Sequence, residues 1–211
     1  MLIPAVRKRM LMVFWEDPFK EIHLRELARR SKSSATNVAS SMQTFVKEGL
    51  FKKREAINAT YFMPNLENEE TLKVFEFLEM ERRKSFYTAN GNIARLITKY
   101  TDEIRSLSAN KIQLAVLFGS VARGEWKKGS DIDILAVVAE KDKGISIALN
   151  KGKLDVSPLL EIRAISTTIK AFSEGLKTNG EFYGNLWKDR VVLYNDYLFW
   201  QMVKDSGGVS G

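Results

Sequence analysis

The sequence predicts an α+β chain in two unlike parts, a small basic helical unit followed by a mixed, α/β-type sheet with flanking helices. Three observations carry this. Apolar residues recur at helical spacing through the first hundred positions. Two seven-residue apolar runs, Ile112–Phe118 and Ile132–Val138, then read as buried strands. Charge is also divided unevenly: residues 1–64 hold 12 Lys/Arg against 6 Asp/Glu, whereas residues 65–211 hold 21 against 20.

The elements follow in order. Residues 4–14 read as a helix, with Pro4 tolerated in its first turn and Pro18 beyond its end. Glu21–His23 is a short extended piece, and Leu24–Arg30 a short helix. The serines of residues 31–34 can cap the helix that follows, which carries Val38, Met42, Phe45 and Val46 on one face and stops at Gly49. Residues 50–65 form a two-stranded ribbon, and Pro64–Asn65 marks a boundary. Helices are expected at 68–88 and 92–108, the second amphipathic through Ile93, Leu96, Ile97, Tyr100, Ile104 and Leu107. After the two apolar strands, Asn150-Lys151-Gly152 reads as a hairpin turn leading to a third strand, Lys153–Leu160. A helix at 164–177, a strand Arg190–Tyr194 and a helix 197–204 complete the chain. Residues 205–211 are expected to be a flexible tail. The units are therefore 1–64, a helical connector 65–108, a sheet-bearing unit 109–204 and the tail.

Composition excludes several chemistries. There is no cysteine and a single histidine, His23. Disulfides, thiolate nucleophiles, cysteine-ligated metals and multi-histidine metal sites are ruled out, which leaves hard cations held by oxygen. His23 itself reads as a capping or surface residue. No apolar run approaches the roughly 18 residues of a membrane helix, and the opening residues lack a signal-peptide cleavage pattern. A cytoplasmic protein without membrane contact is expected.

The informative stretch is residues 117–138, LFGSVARGEWKKGSDIDILAVV. An apolar strand ends at Gly119-Ser120, where a glycine lets the backbone approach a ligand and the following amides and hydroxyl can face a phosphate. Arg123 and Gly124 close the turn, and Lys127 and Lys128 lie on a solvated loop. Asp131 and Asp133 then project from one face of the next strand. Two carboxylates so close call for a cation, and magnesium bridges carboxylates to substrate phosphates. A phosphate cradle beside paired carboxylates suits phosphoryl or nucleotidyl transfer. Asp155, on the expected third strand, would complete a cluster of three acids if that strand lies beside Asp131 and Asp133.

The pattern G-S-x-A-R-G, then S-D-I-D-I, then a later single aspartate resembles the polymerase-beta-like nucleotidyltransferases, in particular their minimal group. The resemblance covers roughly residues 93–195. It implies a nucleotidyltransferase-fold mixed sheet, in which Gly119 and Ser120 hold the nucleotide phosphates. Arg123 and Ser130 are further nucleotide-binding candidates. Asp131, Asp133 and Asp155 would be both catalytic and metal-binding, with Asp155 activating the acceptor hydroxyl. Mg2+ or Mn2+ and a nucleoside triphosphate, taken as ATP, are the implied cofactor and substrate. The segment between Asp133 and Asp155 reads as a hairpin where many such proteins carry a helix.

The order helix, strand, helix, turn, helix, ribbon in residues 1–64 resembles a winged helix-turn-helix. The resemblance implies double-stranded DNA as a partner. Ser34, Thr36, Asn37, Ser40 and Gln43 on the polar face of the third helix can reach base edges and phosphates. Arg29, Arg30 and Lys32 flank that helix, and Lys52, Lys53 and Arg54 enter the wing, where they can neutralise phosphates. The helices at 68–108 offer a homodimer interface for a palindromic site. Two functions follow from the sequence. One is an enzyme that moves a nucleoside monophosphate to a hydroxyl acceptor. The other is a DNA-binding regulator whose second unit senses a nucleotide, or binds a protein partner in an antitoxin-like way, without turnover. The late aromatics Phe182, Tyr183, Trp187, Tyr194, Phe199 and Trp200 read as core.

Overall fold

Pro4, with φ −54° and ψ 141°, sets the chain into α1 (Ala5–Glu16), whose Met10, Leu11, Val13, Phe14 and Trp15 are all buried. The computed structural model describes residues 3–127, 129–156, 161–178 and 180–207, the side chains of residues 155 and 156 excepted. Strand β1 (Ile22–His23) leads into α2 (Leu24–Arg30). His23 caps α2, its Nδ1 accepting from the Arg25 amide at 3.2 Å, which is the structural use expected of it. Lys32 takes φ 50° in the turn. Ser34 caps α3 (Ala35–Lys47) by accepting from the Asn37 amide. Val38, Met42 and Phe45 are buried along one side of that helix. Gly49, at φ +77°, ends it. Strands β2 (Phe51–Ala56) and β3 (Ala59–Pro64) form a hairpin through Ile57-Asn58. They join β1 in a sheet of order β1-β3-β2.

Two helices follow, α4 (Glu69–Ala89) and α5 (Gly91–Leu107). Then β4 (Ile112–Phe118), the short α6 (Gly119–Arg123) and β5 (Ile132–Val138) form the centre of a second sheet. The chain crosses over through α7 (Lys143–Val156) to β6 (Ile162–Thr168), then continues through α8 (Ile169–Thr178), α9 (Glu181–Asp189), β7 (Val191–Tyr194) and α10 (Asp196–Ser206). The strand order is β6-β5-β4-β7. β4 is antiparallel to both β5 and β7, while β5 and β6 run parallel. A parallel pair needs a crossover, which α7 supplies.

Strand alternation divides the packing. Ile132, Ile134, Ala136 and Val138 face the layer of α5 and α7. Leu135 and Val137 face the other way, into a core shared with Phe172, Leu176, Trp187, Phe199 and Trp200. That second core is continuous with Phe14, Leu27, Val38, Met42 and Phe45, so the apolar interior does not divide at Pro64–Asn65. Arg190 sits at the junction. Its guanidinium lies 3.8 Å from the Trp15 ring and 3.7 Å from that of Trp187. It pairs with Glu79 at 2.9 Å and donates to the Trp15 and Trp187 carbonyls. Both charges are buried, and burial raises the Glu79 carboxyl and lowers Arg190. From α4, Arg82 donates to the Asp189 and Arg190 carbonyls, and Arg83 to that of Val192. These bonds satisfy carbonyls just before β7 and, at Val192, on β7 itself, an edge strand among the described residues.

Several expectations are corrected here. Of the expected third strand Lys153–Leu160, residues 153–156 belong to α7, and residues 157–160 lie outside the described residues. Gly152 is no hairpin glycine. A Cβ there would stand 2.7 Å from Ile104 Cγ2 and 3.3 Å from Tyr100 Cε2, so its smallness lets α7 close on α5. The segment between Asp133 and Asp155 thus carries a helix after all. Further on, residues 164–168, expected in a helix, are strand β6, and residues 205 and 206 extend α10 instead of starting a tail. Lys128, Asn179 and residues 208–211 lie outside the described residues.

Candidate functional site

The site forms where β4 ends and β5 begins. Phe118, the last residue of β4, is registered against Asp133 on β5, so the two side chains share a face. Gly119 then turns the chain at φ +77°. A Cβ on Gly119 would come within 2.6 Å of Asp133 Oδ2. Any larger residue would meet the carboxylate as well as the strain of a left-handed backbone. The absence of a side chain is therefore what lets the Gly119-Ser120 backbone lie against Asp133. Gly124, also left-handed at φ 76°, closes α6.

Asp131, just before β5, pairs with Arg163, the residue registered against Asp133, so the two carboxylates lie near one another. Desolvation, and then the charge of Asp131, raise the Asp133 carboxyl above the ordinary aspartate range, while Arg163 pulls it down. Arg163 lies on β6, registered against Asp133, and its Nη1 pairs with Asp131 Oδ2 at 2.8 Å. Glu161, which precedes β6, is exposed, and its carbonyl accepts from the Ile132 amide at 2.9 Å. The sequence reading missed Arg163. Its signal was the alternation of Arg163 and Ile165 with Ile162 and Ala164 in a short polar run, which was hidden by the misplaced third strand.

The remaining expected residues are distributed as follows. Ser130 Oγ accepts from the Lys127 amide at 2.8 Å and so fixes the loop before Asp131. Arg123 is held by Glu125 and Asp189, which ties α6 to the end of α9. Asp155 was expected on a strand beside Asp131 and Asp133. It lies instead in the last turn of α7, and its side chain is outside the described residues. The strand that does lie beside β5 is β6. Among the described residues no three metal-ligating acids or histidines come together. The donor set still fits a hard divalent cation, because magnesium takes one or two carboxylates and completes its shell with water and substrate phosphate. Burial and the neighbouring Asp131 both disfavour the ionised Asp133 carboxylate, and a bound cation would favour it.

In the N-terminal unit, Thr36, Asn37, Ser40 and Gln43 are exposed on α3, together with the cap Ser34. Lys32, Lys52, Lys53 and Arg54 are also exposed. Several cations there are already paired: Arg29 with Glu26, Arg30 with Glu16 and Asp17, Arg54 with Glu21, and Lys53 with Glu55. No helix among the described residues is long and apolar enough to cross a membrane.

Comparison with known proteins bears on residues 97–186, which match the model of the nucleotidyltransferase domain. Two proteins of Methanocaldococcus jannaschii, both named as protein adenylyltransferases, are similar to the chain. One is 32% identical over 85 residues, covering 36% of this chain and 86% of the relative. The other is 33% identical over 103 residues, covering 49% of this chain and 99% of the relative. No solved structure matches. The match begins inside α5, so part of what sequence alone assigns to a connector lies within the matched region.

Proposed function

Because the chain belongs to the nucleotidyltransferase-domain family, we propose that it moves the adenylyl group of ATP to a hydroxyl on a protein, at the cleft of Gly119, Ser120, Asp131 and Asp133. The close approach of Gly119 to Asp133 carries this reading, since it sets a side-chain-free backbone turn directly against a carboxylate. The names of both relatives support the adenylyl donor and the protein acceptor. In the transfer, the acceptor oxygen bonds to the α-phosphorus, the bond from that phosphorus to the bridging oxygen breaks, and pyrophosphate leaves with the electron pair. The acceptor's proton passes to a carboxylate. Glu161, whose backbone carbonyl accepts from the Ile132 amide next to Asp131, is one candidate acid, and Asp155 at the end of α7 is the other. Asp131 and Asp133 would hold Mg2+ or Mn2+, which when bound offsets charge on the phosphoryl oxygens. Gly119 and Ser120 would orient the triphosphate.

A second reading is a nucleotide sensor without turnover. It is favoured by Arg163, whose guanidinium already occupies Asp131. For either reading we propose that residues 1–64 form a winged helix-turn-helix that binds duplex DNA through α3 and the β2–β3 wing, as a homodimer on a palindromic site. The polar exposed face of α3 supports this. Incubation with α-labelled ATP, Mg2+ and host lysate tests the enzyme: labelled protein should appear with wild type and vanish with Asp131→Asn, Asp133→Asn. If no label transfers while ATP changes DNA affinity, the sensor reading replaces it. Glu161→Gln and Asp155→Asn, assayed side by side, then identify the proton acceptor.

A further inference from the structure

We propose that Phe182 is a stacking platform for the nucleobase of the bound triphosphate, an inference that rests on the nucleotidyl-transfer reading. Among the aromatics of the last thirty residues, Trp187, Phe199 and Trp200 serve the core, each at most 5% exposed. Phe182 is 40% exposed, and its position ties it to the site. Phe118 shares a face with Asp133 by strand register. The Phe182 ring meets Phe118 edge-on, with centroids 5.4 Å apart and planes at 79°. Phe182 therefore stands on the carboxylate side of the sheet, one ring beyond the residue that precedes Gly119.

Its orientation is built from behind. Tyr183 meets Phe182 at 5.1 Å and 89°. A Cβ on Gly175 would fall 2.0 Å from Tyr183 Cε2, so α8 leaves a notch that only glycine provides, and the Tyr183 ring fills it. The Tyr183 hydroxyl donates to the Ala171 carbonyl at 3.3 Å. Two ring edges thus brace Phe182 while part of its surface stays in water. Helix α9, which carries it, packs on α6, and Arg123–Asp189 links the two. The helix that bears the platform is the one that braces the proposed phosphate turn. A base leaving water to cover Phe182 gains a stacking contact that tolerates any base and favours the larger purine face.

The test compares two ligands on full-length protein with Mn2+: a non-hydrolysable α,β-methylene ATP and inorganic tripolyphosphate, titrated by calorimetry. Phe182→Ala should weaken the ATP analogue about tenfold, the scale of losing one base–aromatic stack, and leave tripolyphosphate unchanged. Phe182→Trp should restore nucleotide affinity. An equal loss for both ligands would make Phe182 a structural residue, and no loss for either would overturn the platform while leaving the transfer reading intact. If wild type binds neither ligand, the transfer reading fails and the platform falls with it.

Discussion

Arg163 Nη1 stands 2.8 Å from Asp131 Oδ2, so a cation of the protein's own already occupies one of the two carboxylates that a divalent metal would need. The Arg163 side chain is 62% exposed and that of Asp131 25%, so the pair is partly solvated, and a pair with one partner in water contributes about 1 kcal/mol. A metal with two charges can therefore displace it at small cost. Arg163→Ala removes the competitor. Mn2+ affinity of the nucleotide-free protein, read by electron paramagnetic resonance, should tighten by about fivefold, the equivalent of roughly 1 kcal/mol. Weaker Mn2+ binding in the variant would mean that Arg163 orients Asp131 for the metal.

Asp133 should be a residue that the fold tolerates at some cost. Desolvation, and then Asp131, raise its carboxyl above the ordinary aspartate range. A folded-state pKa above the unfolded one makes a contribution to stability that is complete below the unfolded pKa. That contribution is lost as pH rises through the folded value. At neutral pH the ionised form is therefore destabilising, and Asp133→Asn should melt higher than wild type in metal-free buffer. The gap should close as pH falls below the ordinary aspartate range, because both proteins are then neutral at this position. A neutral-pH melting temperature below that of wild type would show that Asp133 stabilises the fold.

Arg190 and Glu79 should make the chain unfold as one unit. The pair is buried where α1, α4 and α9 meet, and one apolar core runs from Phe14 to Trp200. Glu79→Gln preserves shape but leaves the guanidinium without its counter-charge, which costs about 3–5 kcal/mol for a buried pair. Urea unfolding should show that loss in a single transition. The Glu79→Leu, Arg190→Met double variant should recover part of it. Two separate transitions in wild type would mean that residues 1–64 fold apart from the sheet despite the shared core.

Local signals made much of this architecture legible. Ile112–Phe118 and Ile132–Val138 form strands at the limits their runs suggest, because buried central strands carry a near-continuous apolar signal, broken here only by Gln113 and Asp133. Helix α2 spans Leu24–Arg30 as its spacing indicates. The misreading at residues 150–156 has a physical cause. Asn150 and Gly152 are common in turns, but Gly152 is present for the closeness of α7 to Tyr100 and Ile104, a tertiary demand invisible along the chain. Ile145, Ala148, Leu149 and Gly152, all buried at helical spacing, were the available clue. That error displaced the third strand, and with it the view that Arg163, not Asp155, is registered against Asp133. Helix α9 was missed for a related reason, since Gly180 and Gly184 interrupt a short aromatic run whose burial depends on α6 and α8.

The N-terminal surface yields a prediction in which lysines and arginines differ. Arg29 and Arg54 are engaged with Glu26 and Glu21, so contact with a phosphate requires each to release a carboxylate first. Lys32 and Lys52 are exposed and carry no ion pair among the described residues. They can meet phosphates directly. On full-length protein, whose core includes α1, the Lys32→Ala, Lys52→Ala variant should bind every duplex more weakly. Each lost contact should flatten the slope of log affinity against log salt by about 1. The Arg29→Ala, Arg54→Ala variant should change that slope less, because removing each arginine also frees an acid that its partner had neutralised. Asn37→Ala or Gln43→Ala should instead alter which sequences are preferred, since amide side chains on the exposed face of α3 can read base edges. Fluorescence anisotropy over a salt series, on a random and a selected duplex, separates these effects. An unchanged slope in the lysine variant would place the DNA-binding face elsewhere. No binding by wild type at low salt would make the N-terminal unit a surface for protein contacts.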